Sequence, residues 1–194
     1  MDNILIFWLS VIIISLVGTL SHFLYEWTHH NHIAGLFTAV NESTWEHIKI
    51  ALTAALLWGL CDGFLYGATP NYFPAKLLSL IVITITIPAI FYFYRHFTKK
   101  SILIVDISLF YVAILLGQLS FYGVITAPAA PHLIQYLSCI GLFIFFGCYM
   151  TLTLEPLKTP LFRDPINGKY GFRAHQHLIK AIKKKRQARK SAKK

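Results

Sequence analysis

The sequence predicts an all-α, polytopic membrane bundle of five transmembrane helices, and three observations predict it. Hydrophobic residues make up 56% of the 194 positions and charged residues only 13%, a balance too apolar for a soluble domain. Five runs, roughly 3–27, 43–67, 74–95, 101–126 and 131–155, are continuously apolar. Each holds about 20 residues or more, enough at a 1.5 Å rise to cross a hydrocarbon core of ~30 Å. None alternates between polar and apolar positions as the short strands of a membrane barrel do.

The elements follow in order. The first run has neither a basic leader nor an A-x-A cleavage site, so it reads as a retained span. The second opens on Asn41-Glu-Ser-Thr-Trp-Glu-His-Ile-Lys49, a polar knot at the entry to the membrane. Within it Ser43-Thr-Trp-Glu46 fits a capping box, the Ser hydroxyl taking one free helix N–H and Glu46 reaching back to another. Trp27 and Trp45 fall where interfacial aromatics belong. Gly59, Gly63 and Gly67 recur every four residues, a spacing suited to helix packing. The third run contains Pro88, an expected kink, with Thr84 and Thr86 near to satisfy freed backbone groups. The fourth carries Asp106 about two turns, or ~9 Å, from its start. Cys61, Cys139 and Cys148 all lie in spans and read as free thiols. No repeat, CxxC, P-loop, GxSxG or HExxH is present.

Charge orients the bundle. Residues 1–157 hold five Lys/Arg against seven Asp/Glu, a net of −2, whereas residues 158–194 hold thirteen against one, a net of +12. The positive-inside rule puts the C-terminus in the cytoplasm, and an odd number of spans puts the N-terminus outside. The connection Arg95-His-Phe-Thr-Lys-Lys100 then falls inside as well, and the Lys/Arg-free loops 68–73 and 127–131 fall outside. The chain divides into a bundle at 1–157, a structured turn segment at 158–172 and a basic tail at 173–194. Prolines 156, 160 and 165 with Gly168 exclude a long helix in the middle part. Leu161, Phe162 and Tyr170 suggest that this part folds back along the cytoplasmic face, where Arg163 can meet an acidic residue. The tail suits anionic lipid headgroups, at ~1 kcal/mol for each Lys or Arg near the surface, rather than nucleic acid.

With orientation set, the polar residues sort by depth. His22 and Glu26 share a face near the cytoplasmic end of the first span. Glu42, Glu46 and His47 open the second span at that level, with Asp106, Glu155 and Asp164 close by. Near the opposite face Asp62 and Gln118 lie at similar depth, suited to pair. A carboxylate within a span costs at least ~2–3 kcal/mol on insertion scales, which makes Asp106 a functional candidate. His22, Glu26 and His47 form a candidate ligand set for a divalent ion such as zinc, with Glu46 or Asp106 as base. Against this stand structural readings: His22 with Glu26 as a buried hydrogen-bonded pair, Glu46 as a cap, and the run His29-His-Asn-His32 as a solvated loop. The Ser43-x₃-His47 spacing is similar to the first motif of metal-dependent membrane hydrolases such as alkaline ceramidases, but the last span lacks their HxxxH.

Three motifs carry a fuller resemblance: His22-Phe-Leu-Tyr-Glu-Trp27, Gly35 to His47 around Val40-Asn-Glu-Ser43, and Pro160-Leu-Phe-Arg-Asp-Pro165 running on to Gly171. Together they resemble a family of small polytopic bacterial membrane proteins known only as a domain of unknown function. The resemblance covers nearly the whole chain to Gly171. It implies a multi-pass protein of a bacterial cell membrane, and makes His22, Glu26, Asn41, Glu42, Ser43, Trp45, Glu46, His47, Arg163, Asp164 and Gly168 the family's pattern. It brings no activity with it. Two classes of function are therefore expected. One is a metal-assisted or acid–base enzyme acting on a lipid-linked substrate at the inner leaflet, with Arg163 clamping an anionic headgroup. The other is a non-enzymatic lipid- or partner-binding subunit or a small transporter.

Overall fold

A computed structural model describes residues 3–174 of the chain. Six α-helices are present among them: α1 (Asn3–Trp27), α2 (His32–Phe37), α3 (Thr44–Tyr66), α4 (Tyr72–Thr98), α5 (Leu103–Ile125) and α6 (His132–Leu154), followed by a 3₁₀ turn at Pro160–Phe162. All but the short α2 are long and apolar enough to cross a membrane, so the five predicted spans stand. At 23 residues or more each reaches about 34 Å, slightly beyond the hydrocarbon thickness. Large apolar side chains such as Phe64, Phe143 and Leu103 point outward, as a lipid-facing surface requires. This is a multi-pass membrane protein.

α3 is the central helix. It packs against α1, α4 and α5, and half of its apolar stretch is enclosed by protein. α4 and α5 form the most extensive pair, and α6 packs on α4. Small residues set the close crossings: a Cβ at Gly18 would come within 2.6 Å of the Phe110 ring, and one at Gly117 within 2.5 Å of Ile83. The glycines of α3 make room for side chains instead: Gly59 lies under Lys76 and Gly63 under the Tyr72 hydroxyl. α4 runs on through Pro88, and the Thr84 hydroxyl bonds back to the Leu80 carbonyl one turn earlier.

All connections at one end of the bundle are elaborated. His29 and His30 take positive φ, which turns the chain sharply after α1. Asn31 caps α2, its side-chain oxygen accepting from the N–H of Ile33 and Ala34. The expected solvated loop at 29–32 is thus solvent-exposed at His29, Asn31 and His32, and it is an ordered turn. The C-terminal segment crosses the same end, as its aromatic residues suggested. Phe162 is buried with its ring 5.0 Å from that of Trp45, and the Asn41 side chain donates to the Gly171 carbonyl. Asp164 is buried and closes the turn by accepting from Ile166 and, through its backbone carbonyl, from Gly168. Trp45 is therefore a core residue and not an interfacial anchor, because the folded-back segment covers it. The basic tail beyond residue 174 lies outside the described residues.

Candidate metal centre

α1 and the start of α3 meet at the elaborated end, and their seam carries the site. Gly18 lets the two helices approach, since a Cβ there would lie 3.5 Å from the Ile50 carbonyl oxygen. One turn further along α1, His22 faces His47 of α3, with ring centroids 5.4 Å apart. The segment before α3 delivers Glu42 between them. Its carboxylate oxygen lies 3.6 Å from His22 Nε2 and 4.0 Å from His47 Nε2. One ligand atom from each of the three residues falls within 4.8 Å of the others.

Neighbouring bonds fix that geometry. His47 Nδ1 donates to the Ser43 carbonyl at 3.0 Å, because a carbonyl can only accept. This assigns the tautomer and leaves the Nε2 lone pair aimed at Glu42. The segment holding Glu42 is tied on both sides. The Val40 N–H donates to Glu46 at 3.0 Å, and the Asn41 side chain accepts from the Ser43 N–H while reaching Gly171. The facing His22 ring holds the Glu42 carboxyl below its ordinary range, against the opposing effect of partial burial. Glu42 is thus an anion under any near-neutral condition.

The arrangement fits a divalent ion. Ligands on a tetrahedral ion at bond lengths of about 2.1 Å sit roughly 3.4 Å apart. The observed 3.6 and 4.0 Å approach that value, and all three ligand atoms lie within 4.8 Å of one another. Two imidazoles and one carboxylate are a donor set zinc accepts, leaving one position open.

The other candidates sort differently. Glu26 is not in the group; its carboxylate lies 2.9 Å from His30 Nε2, because the turn at 29–30 folds that ring back one helical turn beyond His22. Glu46 does not cap α3. The Ser43 hydroxyl makes no cap bond, and Glu46 is buried against Lys49 Nζ at 2.6 Å. Lys49 also donates to the Gly35 carbonyl at 2.9 Å, on the glycine that seats Phe172 and Tyr25. Asp106 falls in the first turn of α5 rather than deep in a span, and it accepts from the Tyr94 and Ser101 hydroxyls across the α4–α5 turn. The Arg163 guanidinium lies over Gly168, and Arg163 forms no ion pair among the described residues.

At the opposite end Asp62 does not pair with Gln118 as expected. It bonds Lys76 of α4 at 2.8 Å, both residues being buried. Lys49 and Lys76 were the residues missed. Their signal was a cation inside an apolar span with an acid in reach: Glu46 three residues before Lys49, and Asp62 and Lys76 about equally far from the α3–α4 connection.

No curated protein and no solved structure matches the chain. The three sequence motifs nevertheless lie within one matched stretch, and the site with them. Over residues 3–172 the chain matches, and belongs to, the family of unknown function DUF6512.

Proposed function

We propose that the protein binds a divalent metal ion of the zinc class through His22, Glu42 and His47, and uses it on an amphiphilic substrate at the inner leaflet. The observation that carries this reading is the convergence of the three ligand atoms within 4.8 Å from two helices and the segment between them. The His47 tautomer supports it, since the proton on Nδ1 is already committed to Ser43.

Zinc with three protein ligands lowers the pKa of a bound water to about 7, which supplies a nucleophile for hydrolysis. The chain's own contribution is positional. His22 and His47 are about a third exposed and Glu42 nearly half, so the cluster is open to a reacting group. It stands within a turn and a half of the ends of α1 and α3, nearer headgroup level than mid-bilayer, where transport sites are usually built. That placement favours interfacial chemistry. Neither Glu46 nor Asp106 is available as a base, each being held by other partners.

Metal analysis of the detergent-purified full chain tests the reading. Zinc added and then washed away is expected to leave about one equivalent at pH 7.5. His22→Ala, His47→Ala and Glu42→Gln each lose it, while Glu26→Gln retains it. Acidification removes the metal as well, with the sign set by the imidazoles. Protons displace the metal from them, whereas Glu42 stays charged to lower pH, so occupancy falls as the solution is acidified. Parent protein that retains no zinc, or Glu42→Gln that retains it fully, refutes the centre.

A further inference from the structure

A second site lies at the far end of the bundle, about 22 Å from His47 along α3, and is independent of the metal centre. Asp62 and Lys76 each stand one turn inside a membrane-spanning helix, buried and joined at 2.8 Å. Lys76 reaches Asp62 from the α4 side over Gly59, and its ammonium also donates to the Ala55 carbonyl at 2.8 Å. On the other side of Asp62 is a small cavity between α1, α3 and α5, with room for about one water-sized occupant.

The lining of that cavity selects its occupant. Among the described residues Asp62 is its only charged one, and Lys76 does not line it. The remaining polar groups are Asn3, Ser10, Tyr66, Gln118 and Tyr122. The Ser10 hydroxyl spends its proton on the Phe7 carbonyl, which leaves its oxygen lone pairs free. Gln118 is 1% exposed, and its amide nitrogen has no partner. No bond from that nitrogen resists a turn of the amide, and the turn brings the carbonyl oxygen into its place. A carboxylate with amide and hydroxyl oxygens is a hard, all-oxygen donor set.

From this we infer that the cavity beside Asp62 binds a monovalent hard cation, sodium or one of its size, in exchange for a proton. The exchange follows from charge. The Asp62–Lys76 pair is neutral as it stands, and a net charge of +1 at a site this dry is strongly unfavourable. A cation therefore enters on Asp62 as Lys76 releases one proton from Nζ to bulk water. The neutral amine keeps its bond to the Ala55 carbonyl. The titratable neighbours are Asp62, Cys61 and Tyr66 from α3, Tyr72 beside Lys76 on α4, and Tyr122 from α5. The Phe121 ring lies 5.6 Å from the ammonium, and α1 offers only neutral Asn3 and Ser10.

Sodium binding to the purified full chain, measured with radioactive sodium alongside proton release in weakly buffered solution, tests this. Choline keeps the ionic strength constant. The expected result is about one proton released per sodium bound, with affinity rising about tenfold for each unit of pH while Lys76 is protonated. Asp62→Asn loses both signals. Lys76→Met leaves Asp62 buried alone and therefore protonated, so sodium still displaces one proton, now from the carboxyl. Gln118→Leu, a change of similar volume, weakens binding at least tenfold while its elution on size exclusion stays that of the parent. Absence of sodium binding by the parent, or binding without proton release, overturns the proposal. Where Asp62→Asn fails to fold, the parent's pH dependence and the Gln118 variant decide.

Discussion

At the scale of single residues, the buried pair Glu46–Lys49 supports the proposed metal centre from beneath. Lys49 is wholly buried, and its ammonium joins Glu46 to the Gly35 carbonyl, while Glu46 holds the Val40 N–H ahead of Glu42. Removing one member leaves a charge buried alone, which costs about 3–5 kcal/mol, whereas removing both together costs much less. Lys49→Met and Glu46→Gln are each expected to lower the thermal unfolding temperature in detergent by several degrees. The double variant recovers more than half of that loss. A double variant that loses as much as the two single variants together would show that the pair contributes nothing as a pair. The sequence made His22, Glu42 and His47 legible as neighbours in depth, because helix rise converts position into height. Glu42 takes the place expected of Glu26 beside the two histidines for a local reason. Spacing puts Glu26 on the His22 face, but it does not reveal that positive φ at His29 and His30 folds an imidazole onto it. Glu46 was misread likewise, since a capping box and a buried i,i+3 ion pair share the same letters.

Among the elements, α4 and α5 form the closest large pairing, and Gly117 sets their distance. A Cβ there would lie 2.5 Å from the Ile83 side chain and 3.1 Å from the Ser79 carbonyl, a backbone atom with little freedom to retreat. Overpacking of this kind costs about 1–3 kcal/mol, more than the 0.5–1 kcal/mol a helix gains when alanine replaces glycine. Gly117→Ala should therefore destabilise the protein. Gly123→Ala, six residues along the same helix with nothing within 4 Å, should be neutral or slightly stabilising. Thermal unfolding of the two variants side by side distinguishes this from a general effect of alanine; a stabilised Gly117→Ala would refute the close crossing. The five spans were readable almost to the residue, since length and apolarity are all that a membrane asks of a helix. α2 was not, because its six residues are held by the Asn31 cap and by Lys49, Phe172 and Tyr25 around Gly35. Tertiary contacts of that kind leave no periodic trace.

For the molecule as a whole, the distribution of cations between its two ends decides how it sits in a membrane. The end that carries His22, Glu42 and His47 also gathers Arg95, Lys99 and Lys100 at the α4–α5 turn, and Lys158, Arg163, Lys169 and Arg173 in the segment that folds across it. The opposite connections, 67–71 and 126–131, hold no Lys or Arg. Short loops rich in Lys and Arg are retained on the cytoplasmic side, and five spans put the two termini on opposite sides. We therefore expect the His22–Glu42–His47 cluster to face the cytoplasm and the Asp62 cavity to open toward the outer face, so that a proton released from Lys76 and one competing for His22 or His47 would belong to different compartments. Fluorescent-protein and alkaline-phosphatase fusions at the C-terminus are expected to be bright and inactive, respectively, and a tag at the N-terminus to be cleaved by protease added to intact cells. Neutralising Lys99 and Lys100 alone should leave that orientation unchanged, because the segment after α6 still carries most of the charge. An active phosphatase at the C-terminus would invert both assignments at once, placing the zinc-class site outside and the cation-for-proton exchange within.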